Sequence, residues 1–177
     1  MASFTSKSLT LIGLLTLLFG FSLVWQRYSP KKLTFQNYQS DTTYLVSKKA
    51  PAEIIIPRLN INLPIYPAEI KNNAWEATNK GVSYLISSPM PGDTGNSVIY
   101  GHNWESLLGR LPNIKPKDKI EVLMNNGDKK TFIVMATALV DPDQTSILKS
   151  SMDKRITIYT CAGFLDSKRF VATAVLE

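Results

Sequence analysis

"RITIYTCAGFLDSKRFVATAVLE", residues 155–177, holds two runs with apolar residues at alternate positions, separated by the short stretch "AGFLDSK". Alternation of that kind marks β-strands, so the segment reads as two strands joined by a loop. The chain's one cysteine, Cys161, ends the first run, and Arg169 opens the second. Two readings of this pair are open. Cysteine is among the most frequently buried residues, so a small core position is its ordinary role. Beside a cation it is also a nucleophile, because a neighbouring positive charge favours the thiolate.

The texture repeats upstream. "EIIIPRLNINLPIY" (53–66) is Ile-rich with prolines at 57 and 64, which suits edge strands broken by bends. "NNAWEATNKGVSYLI" (72–86) reads as opening with a helical turn that Gly81 stops, and "SSPMPGDTGNS" (87–97) is loop. "SVIYGH" (97–102) is a buried strand ending at Gly101-His102. "ESLLGRLPNI" (105–114) fits a short helix that stops before Pro112. "KIEVLM" and "KTFIVMATALV" flank "NNGDKK" (125–130), whose Asn-Gly is a strong hairpin signal. "DPDQTSILKSSMDK" (141–154) is a polar connection with one helical turn. Many short strands and few helices predict a mainly β fold, a closed barrel of about seven to eight strands, since closure removes exposed edges.

The N-terminus differs. Residues 8–26, "SLTLIGLLTLLFGFSLVWQ", carry no charge and approach the roughly 20 apolar residues needed to cross a bilayer. Trp25 and Tyr28 sit at one end, where amphipathic rings favour the interface. The run exceeds the roughly 7–15 residues of a signal-peptide core, and "VWQRYSPKK" offers no small-x-small cleavage site. Residues 1–28 are therefore expected to be an uncleaved anchor with a transmembrane helix over about 9–26. Residues 29–52 read as a polar juxtamembrane linker with at most one short helix, and residues 53–177 as the folded domain. Lys7 on one side and Arg27, Lys31 and Lys32 on the other leave the orientation open.

Charge excludes one class of function. Of the net +6, residues 1–32 contribute four Lys/Arg and no acid, leaving sixteen basic against fourteen acidic side chains in the domain. No basic stripe interleaved with aromatics appears, so no nucleic-acid partner is expected. Asp141, Asp143 and Asp153 have oxygens that attract Ca²⁺, but their spacing matches no calcium loop, and no cofactor is expected.

His102 is the chain's one histidine, and it too ends a strand. An imidazolium and a guanidinium are the cations best suited to partner a thiolate; the first can protonate a leaving amine, the second can donate to an oxyanion. Taken singly, each residue also has a bland reading: a core cysteine, a loop histidine, a surface arginine. Spacing alone leaves the choice open.

"NSVIYGH", "RITIYTC" and "KRFVATA", taken together and in this order, resemble the sortase family, the cysteine transpeptidases of bacterial cell surfaces. In that family one strand ends in Gly-His, a later one ends in Thr-Cys, and an arginine opens the last. Those positions are His102, Thr160-Cys161 and Arg169 here. "IIIPRLNINLPIY", "PGDTGNSVIYGH", "LPNIKPKDKIEV" and "ALVDPD" resemble further family segments, so the similarity spans roughly residues 53 to 177. It implies a sortase-like barrel in which Cys161 attacks the Thr carbonyl of a signal like Leu-Pro-x-Thr-Gly and forms a thioacyl intermediate. His102 would handle the protons, Arg169 the oxyanion or substrate backbone, and Thr160 the placement of substrate or cysteine strand. The implied partners are surface proteins bearing such signals, an amine acceptor such as a peptidoglycan precursor, and the lipid bilayer through the N-terminal helix. The resemblance also implies an N-terminus inside the cytoplasmic membrane and a catalytic domain outside it.

Asn103 departs from the arginine that follows the histidine in many members, and residues 33–52 lack the Asp-Pro-aromatic motif of the pilus-polymerising type. Papain-like enzymes place cysteine before histidine, and L,D-transpeptidases resemble a pattern with arginine two positions after the cysteine, where this chain has Gly163. The competing reading is a degenerate sortase that binds peptides without turnover. The presence of His102, Cys161 and Arg169 together favours the enzyme.

Overall fold

The computed structural model describes residues 2–27, 33–36, 38, 49–71 and 74–177. Helix α1 runs Ala2–Arg27. Its 19-residue stretch Lys7–Trp25 is long and apolar enough to cross a membrane, and its Leu and Phe side chains are exposed instead of packed on the rest of the protein.

The remaining regular structure is mainly β. In chain order the strands are Pro51–Ile56 (β1), Ile61–Ala68 (β2), Ile70–Lys71 (β3), Ala74–Trp75 (β4) and Val82–Leu85 (β5). Then come Gly95–Tyr100 (β6), Lys119–Met124 (β7), Lys129–Val140 (β8), Lys154–Ala162 (β9) and Lys168–Leu176 (β10). Among the described residues eight of these close a barrel in the order β1-β2-β5-β6-β9-β10-β8-β7, while β3 and β4 form a separate two-stranded ribbon. Pairing is antiparallel except between β2 and β5 and between β6 and β9. β7 and β8 form the hairpin expected at Asn126-Gly127: Met124 N–H donates to Asp128 O at 2.8 Å, and Gly127 takes φ +86°. That left-handed conformation is one that glycine adopts without a Cβ clash.

Closure changes two local expectations. β1 and β2 each have neighbours on both sides, so "EIIIPRLNINLPIY" is not an edge. Its proline at 57 starts a 3₁₀ turn, Pro57–Leu59, between the two strands. Pro64 lies within β2, close against Gly81. A Cβ at Gly81 would fall 2.2 Å from the Pro64 carbonyl oxygen. Gly81 therefore permits a close backbone approach; it does not stop a helix. The expected helical turn at 72–80 is absent among its described residues, because Trp75 is 2% exposed and pairs in β4 with Ile70. Similarly, 105–110 is a run of turns, and a 3₁₀ turn at Leu111–Asn113 includes Pro112 instead of ending before it. The turn expected in 141–154 is a 3₁₀ segment at Thr145–Leu148.

The barrel interior is aliphatic: Ile54, Ile56, Val82, Ile99, Ile120, Val122, Ile156 and Ile158 pack together with Phe132. A second core lies against the outside of β6 and β9. Val98, Tyr100, Tyr159 and Cys161 meet Trp75, Leu33, Phe35 and Val171 there. Both strands are thus buried on both faces, which is why they read as nearly continuous apolar runs. Leu33 and Phe35 belong to the stretch expected to be linker. The bulk of that stretch, including its expected short helix, lies outside the described residues.

Candidate active site

Strand register brings the candidate residues together. β6 and β9 run parallel with Tyr100 beside Tyr159; His102 follows two residues past the end of β6, and Cys161 lies two residues past Tyr159 in β9. In the antiparallel β9–β10 pair, Cys161 is directly opposite Arg169. β9 thus carries the cysteine between β10, with Arg169 across from it, and β6, whose end leads into His102.

Cys161 is 5% exposed and faces the second core with Tyr159 and Val171. Thr160 points the other way: it is fully buried, and its hydroxyl donates to Gly101 O at 2.8 Å. That bond ties the two strand ends, so the geometry of Thr160 is that of a residue positioning the cysteine strand. Gly101 N–H donates in turn to Tyr159 O at 3.3 Å.

His102 is 8% exposed, and its ring stacks on Trp104, with centroids 4.5 Å apart and planes 7° from parallel. Burial holds its pKa below the ordinary imidazole range, while the Asp166 carboxylate partly opposes that shift. Asp166 is held by Asn103, whose Nδ2 donates to Oδ1 at 2.8 Å. The position that departs from the family pattern thus has a role: Asn103 fixes the acid that favours His102's charged form. Asp166 belongs to the β9–β10 loop, where Leu165 (φ +50°) and Asp166 (φ +61°) are left-handed and Phe164 is 84% exposed. Non-glycine residues adopt that region at a cost, and such strain clusters at functional sites.

Arg169 is 4% exposed. Its Nη1 donates to Asp166 O at 3.0 Å and Lys168 O at 2.9 Å, and Nη2 donates to Thr34 O at 3.1 Å. Its Nε is buried with no hydrogen-bond partner among the described residues. Phe35 lies against the guanidinium, 6.0 Å from ring centroid to Cζ. The aromatic surroundings continue: Trp75 meets Tyr100 and Tyr159 edge-on, and Tyr100 stacks on Tyr159. The Tyr100 hydroxyl donates to Glu76 O and the Tyr159 hydroxyl to Leu33 O at 2.9 Å. Burial pushes both phenols up from their ordinary pKa, so they remain donors.

Sequence reading missed Trp104, Asp166 and this aromatic wall. Asp166 was within reach, since it sits in the loop joining Cys161 to Arg169; the aromatic wall depends on β4 folding across β6 and β9. Of the acidic residues weighed for Ca²⁺, Asp153 is paired with Arg155 and Asp141 with Lys168, each at 2.7 Å. No group of three or more His, Cys, Asp or Glu side chains is placed to hold a metal among the described residues.

A barrel with Gly-His, Thr-Cys and Arg at three adjacent strand ends defines a class, and comparison with known proteins agrees. Residues 54–177 match the sortase domain family. The chain belongs to the sortase family. It is 30% identical over 128 residues to sortase A of Listeria monocytogenes, covering 70% of this chain and 55% of that protein. It is 28% identical over 110 residues to sortase D of Bacillus subtilis, covering 62% and 52% respectively. The chain thus spans about half the length of these relatives. Among solved structures, sortase A from Corynebacterium diphtheriae superposes with a TM-score of 0.64 at 28% identity, over 72% of this chain and 60% of that one.

Proposed function

We propose that the protein is a membrane-anchored cysteine transpeptidase that cleaves a sorting signal resembling Leu-Pro-x-Thr-Gly and transfers the acyl part to an amine. The observation that carries this reading is Cys161 on β9, paired with Arg169 on β10 and flanked on its other side by β6, which leads into His102 two residues past its end. The Cys161 sulfur attacks the Thr carbonyl carbon, and Arg169 donates to the oxygen as charge develops. The carbon–nitrogen bond to Gly breaks, and His102 gives the departing amine its proton. A thioester on Cys161 remains. An amine, such as that of a peptidoglycan precursor, then attacks it, and His102 takes the proton back. Burial disfavours the imidazolium form of His102, and the Asp166 carboxylate acts in the opposite direction, favouring it. Helix α1 anchors the chain with its N-terminus inside the cytoplasmic membrane and the barrel outside, where such signals and acceptors meet.

The test uses the full chain in detergent micelles with a panel of quenched Leu-Pro-x-Thr-Gly-like peptides and an amine acceptor. Turnover is expected from wild type, with a peptide–amine product and a mass adduct on Cys161. Cleavage of every peptide no faster than by Cys161→Ala would rule out the enzyme and leave a peptide-binding barrel.

A further inference from the structure

An imidazole that gives and takes protons needs a fixed ring plane. Two groups act on the ring of His102: Trp104 by stacking, and Asp166 through its charge. Among the described residues no hydrogen bond holds either ring nitrogen, and the Asp166 carboxylate accepts from Asn103 instead. The plane of His102 is therefore set by the indole beneath it, 4.5 Å away and 7° from parallel.

The indole is itself well held. Trp104 O accepts from the N–H groups of Leu107 and Gly109, both at 2.8 Å, and His102 O accepts from Leu108 N–H at 3.1 Å. Gly109 makes this fold-back possible, since a Cβ there would lie 2.7 Å from Trp104 O and 2.9 Å from Asn103 O. Leu107, Leu108 and Leu111 are buried in the barrel interior, and Trp104 packs against that same core. Histidine and tryptophan thus belong to one tightly turned stretch that is rooted in the barrel.

We propose that Trp104 is the positioning residue of His102, fixing the imidazole plane while its proton is given and taken back. In triads a third group orients the imidazole by a hydrogen bond, which occupies one ring nitrogen. A stack occupies neither: the indole face accepts the neutral ring and attracts the protonated one. One platform therefore serves both halves of the proton transfer. The reaction it serves rests on the transpeptidase reading; the stack does not.

The experiment uses the full chain in micelles, isotope-labelled at its one histidine, so that a single set of imidazole signals is read by NMR without turnover. Wild type is expected to show cross-peaks between the imidazole and an indole, with the imidazole signals displaced upfield. Trp104→Phe is expected to keep that displacement and Trp104→Leu, apolar but without a ring, to lose it. With a quenched Leu-Pro-x-Thr-Gly-like peptide, Trp104→Leu is expected to lower kcat about 10- to 100-fold, the cost of a misplaced catalytic group. KM is expected to stay within about twofold, and Trp104→Phe to recover most of kcat. A cooperatively folded Trp104→Leu with wild-type imidazole signals or wild-type kcat overturns the proposal. So does a loss that falls on KM, or that Phe fails to recover, or that Asp166→Asn exceeds, which would hand the orienting role to the carboxylate. Should Trp104→Leu not fold, the wild-type spectrum decides, and missing cross-peaks overturn the proposal. A stack present in wild type and lost in Trp104→Leu, without cleavage of any sorting peptide, refutes the transpeptidase and leaves Trp104 as the holder of the His102 ring.

Discussion

β6 and β9 are buried on both faces, yet the two burials differ in kind. The inner face carries Ile99, Ile156 and Ile158, packed among other strands of the same barrel. The outer face carries Tyr100, Tyr159 and Cys161, covered by Trp75 and by residues 33–36. The inner cover cannot leave without opening the barrel. The outer one is a short stretch whose own balance is narrow. Burying Leu33 and Phe35 contributes about 2–3 kcal/mol each, while fixing four backbone residues costs about 1–2 kcal/mol apiece. Burial alone therefore does not separate core from site; what separates them is whether the covering element is itself held by the sheet.

That contrast makes the two faces separable by experiment. The largest effect is expected on the outer face: Cys161→Ala removes turnover, a loss of about 10⁴-fold or more since no thioester forms, while the urea midpoint moves little. On the inner face, Ile158→Ala is expected to cost about 2–5 kcal/mol of stability, read in urea, with activity per folded molecule kept. Tyr159→Phe keeps the ring and loses only the bond to Leu33 O. About 1 kcal/mol is expected there, measured as a severalfold rise in Cys161 alkylation. A fall in labelling would merge the two faces again.

The smallest effect is one of pH. Burial keeps the His102 pKa below its ordinary value, so the unfolded chain binds that proton more readily than the folded one. The contribution of neutral His102 is complete above about pH 6.5 and is lost as pH falls through the lower folded value. The urea midpoint of wild type is expected to drop more between pH 7.5 and 5.5 than that of His102→Gln. Equal slopes would contradict the burial argument.

Much of the frame was legible in the sequence because its signals are local. Asn126-Gly127 dictates its own turn, and the alternation of 155–177 dictates two strands and their loop. The family resemblance added the order of the site residues along the chain. Less legible were features made by tertiary contact. "NNAWEATNKG" resembles a helix start, but Trp75 gains more from the wall of Tyr100 and Tyr159 than a helical turn offers. Gly81 resembles a helix stop, yet its constraint comes from Pro64, seventeen residues away in sequence. Residues 33–36 carry no motif at all; "LTFQ" acquires meaning only from Arg169, far along the chain.

Helix α1 ends at Arg27, six residue steps before Leu33. A fully extended chain covers at most about 3.3–3.6 Å per residue, so a seated segment leashes the catalytic end of the barrel within about 20 Å of the helix end. With α1 seated in a bilayer as proposed, that tether would hold this end of the barrel close to the membrane surface.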